Sequence, residues 1–359
     1  MKVGILGGGQ LARMLALAGH PLGLDFVVLD PAEDACAKAV AQHIKGAYDD
    51  EEKLRQFAES CDVVTYEFEN VPAESVRFLT GKVPIHPSQD ALAFSRDRLT
   101  EKNLFRELGI STPEYAAVDS LDDLREAVSK IGLPAVLKTR TLGYDGKGQV
   151  VLHSPEEVEP AWNQLKSVPC ILESFVPFTR EISVIAARSV TGETAYYPVS
   201  ENTHRSGILH LSVNKPGDEM QKKAEDYIRK LLDRLDYAGV LALELFDADG
   251  TLLANEMAPR VHNTGHLTIE GSQTSQFENH LRAVLGLPLG STSARGFSAM
   301  VNFIGEIPEA ASVLKIRNAH FHNYGKKPRK GRKVGHATVC ADNSEDLYEI
   351  LSHILELVQ

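Results

Sequence analysis

At 359 residues the chain exceeds the size at which one hydrophobic core stops growing, so two or three domains are expected. A hydrophobic fraction of 43% and a charged fraction of 24% exclude a disordered chain and a small scaffold that needs covalent staples. A formal net charge of -11 excludes a nucleic-acid-binding surface, which needs a concentrated excess of Lys and Arg, and leaves small, locally bound phosphate ligands.

Cys36, Cys61, Cys170 and Cys340 form no CxxC pair, so they read as reduced, mostly buried thiols and not as a zinc site. No apolar stretch reaches the roughly 18 residues of a membrane span, and a cytoplasmic chain with no membrane partner is expected.

The apolar run at residues 2–6, the helical pattern through Leu11, Leu15 and Ala18, and DFVVLD at 25–30 predict strand, helix, strand. DVVTYE at 62–67 repeats the alternation, which implies a parallel sheet. Gly7, Gly9 and Ala12 fit G-x-G-x-x-A, with Asp30 ending the next strand, so a dinucleotide and a mononucleotide phosphate are both open readings of the turn. Residues 95–110 read as one charged helix with Leu99, Leu104 and Leu108 on a face, stopped by Gly109 and Pro113. The domain boundary falls there. Ser120 caps a helix over 121–131, and LPAVLKT opens a strand.

LPAVLKTRTLGYDGKGQVVL, residues 133–152, places Lys138 before a loop holding Gly143, Gly146 and Gly148, with the strand resuming at Gln149. A glycine hairpin can lay its amides over a triphosphate while Lys138 supplies a point charge. ILESFV at 171–176 is a strand suited to an adenine slot read by backbone groups. Residues 181–217 predict short strands, and 218–236 a long helix.

In VLALELFDADGTLLANEMAPRVHNTGH, residues 240–266, Glu244 and the pair Asn255 and Glu256 lie on apolar strands. Carboxylates there are costly unless paired or bound to a cation, and two Glu with an Asn are hard oxygen ligands suited to magnesium. Salt bridges to Arg260 or a lysine are the structural alternative. A shared cation requires both glutamates on one face. Pairing Asp247 with Thr251 across Ala248, Asp249 and Gly250 achieves this, with Glu244 opposite Ala254, Glu256 opposite Ala242, and Gly250 at positive φ. The run KKPRKGRK, 326–333, is cationic in an acidic protein.

GGGQLARM, YDGKGQ, NEMAPRVHNTGH and GRKVGH, spread over residues 7–336, resemble the N5-carboxyaminoimidazole ribonucleotide synthetases of the ATP-grasp superfamily. Ala12 stands where glycine is common in that family, and Lys330 where proline is frequent. The resemblance implies an α/β ATP-grasp fold with a Rossmann-like parallel sheet at 1–96, a small central α+β lid at 97–178, and an α+β domain at 179–359 with a terminal subdomain from about 290. It implies a ligase that uses ATP, magnesium and bicarbonate to carboxylate aminoimidazole ribonucleotide through carboxyphosphate, and a homodimer.

By position, the resemblance gives ATP to Arg98, Lys138, Gly143, Tyr144, Asp145, Gly146, Lys147, Gly148, Gln149, Glu173, Ser174, Phe175, Val176, Glu181, His204, Asn255 and Glu256. It gives magnesium to Glu244 and Glu256, and the chemistry to Arg260, His262, Asn263, Tyr144 and Asp145. The acceptor nucleotide falls to Tyr144 and Asp145, with Lys326, Arg329, Arg332 and Lys333, or the turn at Gly9 and Gln10, for its phosphate. Rival readings are a formate- or glycine-using ligase of the same superfamily and a nucleotide sensor without chemistry; a dehydrogenase explains only the first 30 residues.

Overall fold

The computed structural model describes residues 1–143 and 146–358. Three sheets organise it. The first is parallel, in the order Gln42–Lys45, Asp25–Asp30, Lys2–Leu6, Val63–Tyr66. Val3, Ile5, Val27, Val28, Val63 and Val64 are almost wholly buried along it, the continuous apolar pattern of a sheet covered on both faces.

The second sheet is antiparallel, ordered Tyr115–Val118, Cys170–Ser174, Ala135–Thr139, Gln149–Leu152. The helices Leu121–Ile131 and Val158–Gln164 close a small core of its own around Leu124, Leu137 and Trp162. Ser120 caps the first of them by accepting from Asp123 N–H at 3.1 Å.

The third sheet has nine strands, with Thr251–Ala258 at one edge, then Gly239–Ala248 and Arg180–Arg188, and Ala319–Asn323 at the other edge. Met14, Leu15 and Phe26 of the first unit share a core with Ile185, Val240, Phe277 and Leu281, so the parallel sheet is docked on this large one.

Two expectations change here. The predicted single helix at 95–110 is two, Gln89–Arg96 and Arg98–Glu107, broken at Asp97, whose ψ of 114° is extended. Asp97 accepts from Leu99 and Thr100 N–H as the cap of the second helix, and it receives Arg140 at 2.8 Å. Leu104 and Phe105 then pack with Ile228, Leu231 and Leu243 under the large sheet, whereas the expectation assigned this helix to the central lid. Among the cysteines, Cys170 is buried and the other three are half-buried. Among the described residues no helix is long and apolar enough to cross a membrane.

Candidate active site

A cleft of about 820 Å³ separates the three sheets. Its floor is the hairpin Gly239–Ala248 and Thr251–Ala258, turned by Asp249 (φ 50°) and Gly250 (φ 82°). Gly250 does adopt positive φ, but the loop has two residues and not three: Ala248 pairs with Thr251. The register is recovered by a bulge. Leu245 pairs with Ala254 while Glu244 pairs with Glu256, so Asn255 is the extra residue. Glu244 and Glu256 are therefore directly opposite, on one face, and not diagonal as the expected three-residue loop predicts.

Their partners differ. Glu256 receives Arg98 at 2.7 Å and Glu244 has His262 Nε2 at 3.3 Å, whereas Arg260, the partner offered by the alternative reading, is engaged by Glu69. Glu244 is 14% exposed and Glu256 41%, facing the cleft. Enclosure by protein and the nearby Glu256 charge push Glu244 up to about 7. Enclosure acts on Glu256 as well, but the Arg98 guanidinium outweighs it and holds that carboxyl well below the usual range. Burial and Arg260 push His262 down to about 3, so the imidazole is neutral. Its Nδ1 lies 2.9 Å from the Thr264 hydroxyl and accepts from Thr264 N–H at 3.4 Å, while Nε2 faces Glu244.

Arg260 is held by Glu69 at 2.5 Å, across from the parallel sheet. Gln276 clamps the main chain of His262, accepting its N–H at 2.9 Å and donating to its carbonyl at 2.5 Å. Asn263 and Asn302 exchange amide hydrogen bonds at 3.2 and 2.5 Å.

On the other wall, Lys138 Nζ lies 2.9 Å from Glu173 and 3.4 Å from Asn255 Oδ1, which joins the second sheet to the floor. Burial raises the Glu173 carboxyl, but Lys102 and Lys138 together outweigh it and keep it ionised, at about 2. His204 Nδ1 is 3.0 Å from Glu181. Phe178 and Phe246 stack at 4.9 Å as an apolar wall. The N–H groups of Ser174 and Phe175 are already taken by Glu114 and Pro134 carbonyls, so the expected backbone reading of an adenine ring does not rest on those two.

Arg98, Gly143, Gly146, Lys147, Gln149, Ser174, Phe175, Val176 and Glu181 border the cleft, as do His204, Asn255, Asn263, Lys326, Arg329, Arg332 and Lys333. Gly148 does not line it; its carbonyl accepts Thr139 N–H at 2.8 Å and its φ of 75° turns the loop. Tyr144 and Asp145 lie outside the described residues.

The first glycine turn is corrected most. Gly9 N–H donates to Glu67 at 2.6 Å and Gly8 N–H to Asp30 at 2.8 Å, so these amides serve the protein's own carboxylates and are not left for a phosphate. A side chain at Gly7 or Gly9 would collide with Glu67. Gln10 does reach the cleft, where its carbonyl oxygen accepts from Lys326 at 2.6 Å. Glu67, Glu69, Glu101 and Lys102 escape sequence reasoning; the YEFEN segment at 66–70 ends an apolar strand in two acids, the only local sign.

Three family models match the chain: the ribonucleotide synthetase preATP-grasp domain over residues 1–96, the ATP-grasp domain over 103–277, and the phosphoribosylaminoimidazole carboxylase C-terminal domain over 298–349. The chain is similar to the N5-carboxyaminoimidazole ribonucleotide synthase of Pseudomonas aeruginosa, at 59% identity over 96% of each chain. It also superposes on the N5-carboxyaminoimidazole ribonucleotide synthetase structure from Thermus thermophilus, with TM-score 0.96 and 54% identity, covering 99% of this chain and 98% of that one. A structure of the Aspergillus clavatus enzyme in complex with ADP and 5-aminoimidazole ribonucleotide gives TM-score 0.92 at 32% identity, with the same coverage.

Proposed function

The chain belongs to the N5-carboxyaminoimidazole ribonucleotide synthase family, and from that premise we infer that its cleft carries out the ATP-dependent carboxylation of the amine of 5-aminoimidazole ribonucleotide in purine biosynthesis. Bicarbonate is the carbon source; ADP and phosphate leave. The observation that carries the reading is the direct opposition of Glu244 and Glu256 in one cleft with Lys138, Arg260 and His262.

The donor set fits magnesium. Among the described residues no three His, Cys, Asp or Glu side chains form a metal cage. Two opposed carboxylates, one already balanced by Arg98, are what a cation completed by nucleotide phosphates and water requires. When bound there, magnesium neutralises phosphate charge during phosphoryl transfer.

The protein's own groups divide the remaining work. Lys138 and Arg98 neutralise phosphate oxygens. Bicarbonate oxygen attacks the γ-phosphorus, ADP departs, and carboxyphosphate results. Arg260, oriented by Glu69, stabilises charge on that group, with His262 Nε2 and the Asn263 amide beside it. The amine nitrogen then attacks the carboxyl carbon, phosphate leaves, and the amine gives up a proton. We assign Tyr144 and Asp145 to that amine on family resemblance. Lys326, Arg329, Arg332 and Lys333, with Gln10, are proposed for the ribose phosphate. The division at 1–96, 97–178 and 179–359 is proposed too, with Arg98–Glu107 as a connector, and a homodimer rests on the family alone.

ADP release in the presence of magnesium and bicarbonate tests the whole reading. It is expected to rise with 5-aminoimidazole ribonucleotide and not with glycine, formate or NAD; equal stimulation by glycine or formate sinks the assignment. Arg332→Ala is expected to raise the KM for the acceptor about 10- to 150-fold, the equivalent of a charge-assisted contact of about 1.5–3 kcal/mol, and to leave the KM for ATP near its parent value. An unchanged acceptor KM returns residues 326–333 to a solvated basic loop.

A further inference from the structure

The strand Thr251–Ala258 is the outer edge of the nine-stranded sheet, so its outward backbone groups have no strand to pair with. Three groups replace that strand. Ala254 N–H donates to Ser111 O at 2.7 Å, Ala254 O accepts from Lys102 Nζ at 2.9 Å, and Met257 N–H donates to Glu101 Oε1 at 2.7 Å. Outward positions of an unbroken strand are two residues apart, but Ala254 and Met257 are three apart. The bulge at Asn255 lies between them.

Glu101 and Lys102 are 2% and 1% exposed. Apolar residues of similar volume would seal the helix Arg98–Glu107 against the sheet at least as well as two buried ionisable side chains do. They could not hydrogen-bond a strand edge. Lys102 also lies 3.5 Å from Glu173, the carboxylate that holds Lys138, so one ammonium joins the wall of the cleft to its floor.

We propose that Glu101 and Lys102 are positioning residues that clamp the edge strand on either side of its bulge and thereby keep Glu256 opposite Glu244. If Asn255 slipped into the ladder, strand parity would turn Glu256 to the other face and part the two carboxylates. The inference rests on the magnesium reading above and deepens it.

Manganese serves as the probe, its binding in the presence of ADP followed by electron paramagnetic resonance, together with the thermal midpoint and steady-state KM and kcat. Glu101→Leu and Lys102→Met are expected to weaken manganese binding at least about tenfold and to leave the acceptor KM unchanged. Glu101→Gln keeps an acceptor for Met257 N–H and is expected to bind manganese as the parent does. Apolar variants that fold and bind manganese normally overturn the clamp. Should they fail to fold, Glu101→Gln decides alone: parent-like affinity upholds the clamp, and a loss as large as tenfold overturns it, because the acceptor for Met257 N–H has been kept. A parent enzyme whose manganese binding is indifferent to ADP overturns the magnesium reading and this inference with it.

Discussion

Glu244→Gln is expected to lower ADP formation at saturating substrates by about 10²–10³-fold, the range seen when a preorganised charge-stabilising group is removed from a transition state. The substitution keeps the volume and the contact with His262 but removes the anion. Glu256 alone, already neutralised by Arg98 at 2.7 Å, then offers little net charge to a cation. Within tenfold of the parent rate, the shared-cation assignment is wrong.

The same carboxyl gives the reaction a pH dependence whose sign is fixed. Enclosure and the Glu256 charge raise Glu244 from 4.5 to about 7, so below about 7 it carries a proton that a cation must displace. Magnesium affinity is expected to fall up to tenfold per pH unit below about 7 and to level off above it, and Glu244→Gln is expected to abolish that slope. For the metal-free protein the raised group contributes stability that is fully present below 4.5 and lost as pH rises through about 7. Magnesium with ADP is accordingly expected to raise the thermal midpoint more above about 7 than below it. A pH-independent magnesium affinity contradicts this account.

The parts of this site that are legible in sequence are those fixed by local chemistry. Strand Asp25–Asp30 and helix Leu121–Ile131 follow from alternation and a serine cap. That the two glutamates share a face follows from the demand of a shared cation, but their direct opposition and the register that produces it do not. Asp249–Gly250, both at positive φ, is a two-residue turn that the DADG segment permits as readily as a three-residue one. The bulge that restores the parity is held by Ser111, Lys102 and Glu101, which are more than 140 residues away along the chain. No pattern within 240–266 could announce it. The break at Asp97 is similar: its carboxylate caps one helix and receives Arg140 from another sheet, and a residue that reads as one more charge on an amphipathic face becomes a joint. The glycine turn misleads for the opposite reason. Its spacing suits a phosphate, yet Glu67 and Asp30 reach its amides first. Tertiary partners, not the local motif, decide what those donors serve.

Arg260→Ala is expected to reduce turnover by about 10²–10³-fold with a much smaller change in ATP affinity, because the role proposed for its charge is to stabilise the group formed after phosphoryl transfer and not the nucleotide's resting phosphates. The substitution also strands Glu69, which now receives Arg260 at 2.5 Å while 24% exposed. Burial alone raises the Glu69 carboxyl, and Arg260 is what holds it below its ordinary value. With the guanidinium gone, Glu69 regains its proton more readily, so the variant relieves part of its own electrostatic cost and folds. Arg260→Lys retains the charge but loses the planar fork that lets one guanidinium meet Glu69 through Nε and turn its other nitrogens elsewhere. Its turnover is expected to stay well below the parent's. Glu69→Gln separates holding from acting: it keeps a neutral hydrogen-bond partner for Arg260, so its loss of kcat should be a small fraction of that in Arg260→Ala. Bicarbonate-dependent ADP release orders the three. If Glu69→Gln proves as damaging as Arg260→Ala, the carboxylate itself touches the reacting groups; if Arg260→Ala turns over normally, the guanidinium serves only to join the parallel sheet to the floor of the cleft.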